Sequence, residues 1–348
     1  MLLRTVRTAA KLFFSFTLVI TASVFFGCSR KAGAAPFPEQ EADLVIYSPH
    51  ASDKTESIIR EFRQRTGLRA KIVHQGTSEL IGRLAAEENN GSTAADVFWG
   101  GGTETLEAAK QLFAQYKSNE LVNIDKEYVD KDNYWTGFSV MTMVIAYNKQ
   151  LVPPKEVPTS WADLDDPFFQ GRIIIPDPLK SGSAYSILNA VLNTTYPEEN
   201  WNLLKRIMLR AGTNGLAASS TTIHPSVAAG EYFVGLTSED ASLYVISTGQ
   251  PLAIVYPSDG TIAVPDGVAL VKNAKHKDAA CLFIDFVLGH DVQEIVSCRW
   301  FRRSVRNDIA LPERAEPLAS IHILPYDVYD VAQKRDRILS MWEDLYKK

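Results

Sequence analysis

Ser181-Gly182-Ser183 is the segment best suited to chemistry, two hydroxyls around a glycine just after Pro176-Asp177-Pro178. A helix-like run, Ser186 to Leu192, follows it, so the turn falls where a helix begins. Helix N-termini leave backbone N–H groups unpaired and carry partial positive charge, which attracts anions. Glycine allows close backbone approach, and serine hydroxyls add donors. The plainer reading is a serine acting as an N-cap in an ordinary turn. A second hydroxyl cluster, Ser219-Ser220-Thr221-Thr222, lies downstream of Gly215 and also reads as a polar loop. Glu239-Asp240 supplies adjacent acids. Paired acids could suggest hydrolysis, but glycosidase carboxylates face each other across a bond and are rarely sequence neighbours. With no nucleophile elbow and no metal motif, the chain reads as a binding protein and not an enzyme.

The elements that must position these residues alternate. Leu44–Tyr47 reads as a strand, Thr55–Thr66 as a helix closed by Gly67, and Ala70–His74 as a strand. Ser78–Asn89 reads as a helix, and Ala95–Trp99 as a strand running into Gly100-Gly101-Gly102. This alternation predicts an α/β fold with a mostly parallel sheet and helices on both faces. Ligands in such sheets sit beyond the carboxyl ends of the strands. The loops there carry Ser48-Pro49-His50, Gln75-Gly76-Thr77-Ser78 and Gly100-Gly101-Gly102-Thr103, all suited to a polar ligand. His74 is expected to pack, and His224 to cap or lie at the surface. Trp99, Tyr134 and Trp135 are expected in the core.

Residues 1–27 read as an export signal: Arg4, Arg7 and Lys11 precede an apolar run that ends at Gly27-Cys28. That run is too short and wrongly flanked for a membrane span. Phe25-Phe26-Gly27-Cys28 resembles a lipoprotein processing site, with phenylalanine where leucine is usual, which makes Cys28 the expected lipidation point. Residues 28–41 read as a flexible tether. The first 27 residues hold three basic and no acidic residues, so without them 33 Lys and Arg face 41 Asp and Glu, a net charge of −8. An acidic exported chain is a poor partner for nucleic acid. Cys281 and Cys298 could pair outside the cytoplasm or remain as free thiols, and no Cys/His spacing suggests zinc. At this length two lobes are expected.

Several motifs follow one another in a recognisable order: Tyr47-Ser48-Pro49-His50, Ala95-Asp96-Val97-Phe98-Trp99-Gly100, Ala146-Tyr147-Asn148-Lys149, Pro158-Thr159-Ser160-Trp161-Ala162-Asp163-Leu164, Ile175-Pro176-Asp177-Pro178 with its Ser-Gly-Ser turn, Gly230-Glu231-Tyr232, and Tyr256-Pro257-Ser258-Asp259-Gly260-Thr261. The set resembles the ferric-ion-binding-like family of solute-binding proteins that serve ABC importers, over nearly all of residues 42–310. The resemblance implies a type II periplasmic-binding-protein fold, with two lobes joined by two crossing strands and a cleft between them. Lobe 1 would be 42–137 and 262–312, and lobe 2 would be 138–261 and 313–348. Family members that bind ferric ion use adjacent tyrosines, which Gly235–Tyr244 lacks. An iron site from His50, Glu239 and Asp240 is the alternative.

The resemblance is nearer to a branch that binds organic phosphates, such as sugar phosphates, phosphoglycerates or phosphonates. It implies that Ser181, Gly182 and Ser183 clamp the phosphate, with Ser219 and Ser220 adding donors. Ser48, His50, Thr77, Ser78 and Gly101 would face them from the other lobe, with His50 favoured in its charged form beside the anion. Glu239 and Asp240 would hold the organic part. Adjacent strand residues face opposite ways, so one is expected in the cleft, with Glu239 preferred, whereas on a helical turn both could approach it. Arg302-Arg303-Ser304-Val305-Arg306 resembles an element of this branch; it reads either as an arginine at the cleft mouth or, preferred, as a surface patch paired with Asp308. The implied protein is monomeric, lipid-anchored in the periplasm or at the cell surface, and partnered by a permease and an ATPase. No cofactor is expected. A sensor reporting to a membrane receptor would share the fold.

Overall fold

The computed structural model describes residues 42–194 and 199–346. The proposed signal, tether and Cys28 lie outside the described residues. The first layer is built as the alternation predicts, from β1 (Leu44–Ser48), α1 (Ser52–Thr66), β2 (Ala70–His74), α2 (Thr77–Asn89) and β3 (Val97–Gly102). Gly67 ends α1 in the left-handed conformation, its N–H reaching the Arg63 carbonyl at 2.8 Å, a common glycine terminator. The chain continues through α3 (Thr103–Ala108) and β4 (Phe113–Ala114) into β5 (Thr136–Asn148). β5 is almost wholly buried, in keeping with its mainly apolar sequence, and Thr136, Ser139, Thr142 and Asn148 are buried with it.

The second half contains β6 (Ile173–Pro176), α4 (Gly182–Leu192), α5 (Asn200–Ala211), β7 (Leu216–Ala217), α6 (Ile223–Ala228), β8 (Val234–Ser238), α7 (Glu239–Ser247) and β9 (Leu252–Val255). The return passes through β10 (Ala263–Val271), α8 (Lys277–Leu288), α9 (His290–Trp300) and β11 (Arg303–Ser304), and the chain closes with α10 (Val328–Gln333) and α11 (Arg335–Tyr346).

Strand order is β2-β1-β3-β10-β5-β8-β6-β7, with β4 on β10 and both β9 and β11 on β5. The sheet is mixed, a correction to the mostly parallel expectation. β1 runs parallel to β2 and β3, and β6 to β7 and β8, but β10 is antiparallel to β3 and β5, and β5 is antiparallel to β8. The antiparallel pairs arise because β5 and β10 pass between the two parallel blocks in opposite directions. Residues 136–142 of β5 pair with β10, and Met143–Tyr147 pair with β8.

Each block has its own core. Ile46, Phe62, Trp99, Phe138, Phe283 and Trp300 pack around the first. Trp161, Ile173, Tyr185, Leu204 and Leu236 pack around the second, where α10 and α11 add Val331 and Trp342. Trp99 and Trp135 are buried, as expected of core aromatics. Cys281 and Cys298 are both free thiols. Among the described residues no helix is long and apolar enough to cross a membrane.

Candidate functional site

A cleft of about 600 Å³ opens beyond the carboxyl ends of the strands. Four helices begin at its wall: α1 through Ala51, Asp53 and Lys54, α2 through Gly76, Thr77 and Ser78, α4 through Ser181 and Ser183, and α7 through Ser238 and Asp240. Their unpaired N–H groups make the cavity receptive to negative charge even though the chain is acidic overall.

The hydroxyl groups expected to act together do meet. Ser183 Oγ lies 2.7 Å from Ser220 Oγ, and Ser181 Oγ lies 3.1 Å from Ser183 Oγ and 3.2 Å from Ser220 Oγ. Ser181 also caps α4, accepting from the Ala184 N–H at 3.4 Å, as the N-cap reading expects. Ser219 lines the same wall and accepts from the Thr221 N–H at 3.3 Å. Opposite are Thr77 and Ser78, and the Ser78 hydroxyl has no protein partner. Gly182 is not a lining residue. It is the point where α4 passes Thr77, since a Cβ there would stand 3.0 Å from Thr77 Oγ1. Ser186, one turn along α4, donates to Glu104 Oε1 at 2.6 Å and so ties the cradle helix to α3.

The glycine run expected as a loop is instead strand to its end, with Gly102 opposite Asp266 on β10. Gly100 (φ 123°) and Gly101 (φ 81°) bend it so that His50 and Thr77 can approach. A Cβ on Gly101 would stand 2.8 Å from Thr77 Cγ2. Gly101→Ala is therefore expected to destabilise the fold by about 1–2 kcal/mol, the usual cost of a left-handed alanine. An unchanged urea midpoint would show that this segment relaxes freely.

At the other end of the cleft lies a charged floor. His50 Nε2 is 2.7 Å from Asp266 Oδ2, and its ring packs edge-on against Trp99 and Trp300 at 5.0 and 5.5 Å. Burial lowers the His50 pKa despite Asp266, which favours the neutral form. Ser48 is buried and does not line the cavity; its Oγ accepts from the His50 N–H at 3.2 Å and fixes the turn. His74 does the same from the next strand, Nδ1 lying 2.9 Å from the His50 carbonyl oxygen.

Arg302 bridges the floor. Its Nε donates to Asp240 Oδ2 at 2.7 Å, and Nη1 donates to Asp266 Oδ2 and lies 3.2 Å from His50 Nε2. Lys54 Nζ approaches Asp240 Oδ2 at 3.8 Å. Burial works to raise the Asp240 carboxyl, but Arg302 and Lys54 outweigh it and hold the carboxyl far below the usual range. Burial lowers Lys54, opposed by Asp240. His224 also lines the cleft, contrary to its expected surface role, and burial pushes it down to about 4.

Glu239 turns away. Its carboxylate takes two hydrogen bonds from Arg303, 2.7 Å from Nε and 2.6 Å from Nη2, and a third from the Tyr256 hydroxyl. The preference for Glu239 is thus corrected to Asp240. The two acids open a helix, where successive side chains diverge by about 100°. His50, Glu239 and Asp240 are therefore not brought together as an iron site. In the arginine cluster, Arg306 pairs with Asp308 as expected, at 2.7 Å, and with Glu120, but the preferred surface patch is corrected: Arg302 enters the cleft, and Arg303 and Arg306 are buried. Lys54 and Asp266 went unrecognised. Asp266 did leave a signal, a lone carboxylate inside the apolar strand Ala263–Val271.

The model of the bacterial extracellular solute-binding proteins matches residues 95–330. Iron uptake protein A1 of Synechocystis is 26% identical over 301 residues, covering 81% of this chain and 82% of that protein. The periplasmic binding protein AfuA of Actinobacillus pleuropneumoniae, solved with fructose-6-phosphate bound, superposes with a TM-score of 0.80 at 25% identity, over 87% of this chain and 98% of that one. The ferric binding protein of Campylobacter jejuni superposes with a TM-score of 0.75 at 23% identity, over 87% and 99% of the two chains. The fold is thus that of the two-lobe type II binding proteins.

Proposed function

The chain belongs to the bacterial extracellular solute-binding proteins, and from that premise we propose that its cleft captures a small phosphorylated organic solute for an ABC importer. Binding proteins of such importers hand their solute to a permease driven by an ATPase, and they perform no chemistry on it. The observation that carries the reading is the Ser181–Ser183–Ser220 cluster at the start of α4, facing Thr77 and Ser78 at the start of α2. Hydroxyls and helix N-termini together make a phosphate cradle that needs no arginine.

The organic part of the solute lies over Asp240 and His224. Asp240 Oδ1 and His224 Nδ1 are buried atoms without protein partners, one an acceptor for a solute hydroxyl, the other able to donate or accept. AfuA, with its bound sugar phosphate, supports the same solute class. The names of two relatives point to iron instead, but Glu239 is spent on Arg303, and Arg302 occupies the space between Asp240, Asp266 and His50. In this proposal the protein works as a monomer, anchored through lipid on Cys28 in the periplasm or at the cell surface.

The test is a thermal-shift series with fructose-6-phosphate, phosphoglycerate, aminoethylphosphonate, inorganic phosphate, fructose and ferric citrate. A ligand that binds only the folded chain raises the melting temperature with its concentration. A shift with a phosphorylated compound and none with fructose is expected. Ser183→Ala should weaken that binding by about 10- to 100-fold, the scale of one hydrogen bond to a charged group. A shift with ferric citrate alone would overturn the reading.

A further inference from the structure

Arg302 stands where a bound cation would stand. Its guanidinium contacts one imidazole nitrogen and two carboxylates: His50, Asp240 and Asp266. One neutral nitrogen and two anionic oxygens form a donor set that suits zinc, cobalt or iron ions. Among the described residues no group of His, Cys, Asp and Glu is arranged to hold a metal; these three donors converge on the arginine instead. The charges also balance, since Asp240 and Asp266 are offset by Arg302 and Lys54 while His50 is neutral.

We propose that Arg302 is a specificity-determining residue, a built-in cation that denies metal ions a site on the cleft floor and reserves it for the polar groups of an organic solute. Three buried atoms keep spare hydrogen-bonding capacity for that solute: His50 Nδ1, Asp240 Oδ1 and Asp266 Oδ1. A guanidinium cannot lose its proton at any ordinary pH, so the block is permanent. Removing it leaves two carboxylates against one lysine, a net negative floor with an imidazole beside it. That floor attracts a divalent ion and can ligate it. Metal exclusion holds whether or not the solute carries phosphate, because metal uptake and solute binding are read separately.

The experiment titrates the purified protein with cobalt(II) chloride, whose visible absorption reports nitrogen and oxygen ligation. The unaltered protein is expected to develop no band. Arg302→Ala should bind one cobalt ion at least tenfold more tightly, and Arg302→Lys, which keeps the charge, should not. Adding His50→Ala to Arg302→Ala should abolish the gain, which separates this site from the free thiols. Cobalt binding by the unaltered protein as tight as by Arg302→Ala overturns the proposal. So does an Arg302→Ala protein with unchanged circular dichroism that gains nothing. Should Arg302→Ala not fold, Arg302→Gln, which keeps a hydrogen-bonding side chain of similar reach, is titrated under the same criteria. Fructose-6-phosphate melting shifts on the unaltered protein report the phosphate reading independently.

Discussion

Arg303→Met is expected to lower the free energy of unfolding by about 3–5 kcal/mol, the usual cost of leaving one member of a buried ion pair without its partner. Arg303 and Glu239 are 2% and 1% exposed, joined by two parallel hydrogen bonds, and Arg303 also donates to the Glu316 carbonyl at 2.5 Å. Without the guanidinium, Glu239 keeps only the Tyr256 hydroxyl, far too little for a desolvated carboxylate. The paired change, Glu239→Leu with Arg303→Met, should recover most of the loss, because two apolar groups leave no buried charge. Urea midpoints of the two single variants and the double variant measure this coupling. A single-variant loss below about 1 kcal/mol would mean that water reaches the pair. Because Arg303 adjoins Arg302 and Glu239 adjoins Asp240, the buried pair also aligns the two residues that meet on the cleft floor.

Glu104→Gln should stabilise the protein above neutral pH and leave it little changed below about pH 5. Glu104 is fully buried on α3, Oε2 has no partner, and burial pushes its carboxyl up to about 7, with the Ser186 hydrogen bond opposing. The unfolded chain releases this proton near the ordinary value of 4.5. Between about pH 4.5 and 7 the folded state therefore holds a proton that the unfolded state has lost, and stability falls as pH rises. The loss reaches roughly 3 kcal/mol above pH 7, at about 1.4 kcal/mol for each tenfold difference in proton affinity between the two states. Glutamine mimics the protonated acid and should flatten that slope. The check is a series of urea midpoints from about pH 4.5 to 8.5 on both proteins, and parallel pH profiles would sink the idea. Glu104 also receives the Ser186 hydroxyl from the cradle helix, so its ionisation acts directly behind the cleft.

The departures from expectation share one cause. Ser181, Ser183, Ser219 and Ser220 were readable because local rules, a cap and a polar turn, place them at the start of α4 and the loop after β7. His50, Thr77, Ser78 and Gly101 were readable because they end strands of an α/β alternation. Glu239 and Asp240 were legible as a pair, but which of them enters the cleft depended on a helix beginning between strands that meet only in three dimensions. Arg302, Lys54 and Asp266 come from the turn after α9, the first turn of α1 and the middle of β10. No spacing along the chain links them, and their roles follow from charge neutralisation across elements that lie far apart in the sequence.

What the amino-acid order determined by itself was the alternation of elements and the hydroxyls at a helix start, since periodicity and capping are local properties of the chain. What only the tertiary structure decided was the mixed direction of the sheet, the outward turn of Glu239 and the arginine-bridged floor. Those depend on which groups share a buried volume, where an unpaired charge costs several kcal/mol and each carboxylate takes whichever cation the fold brings within reach.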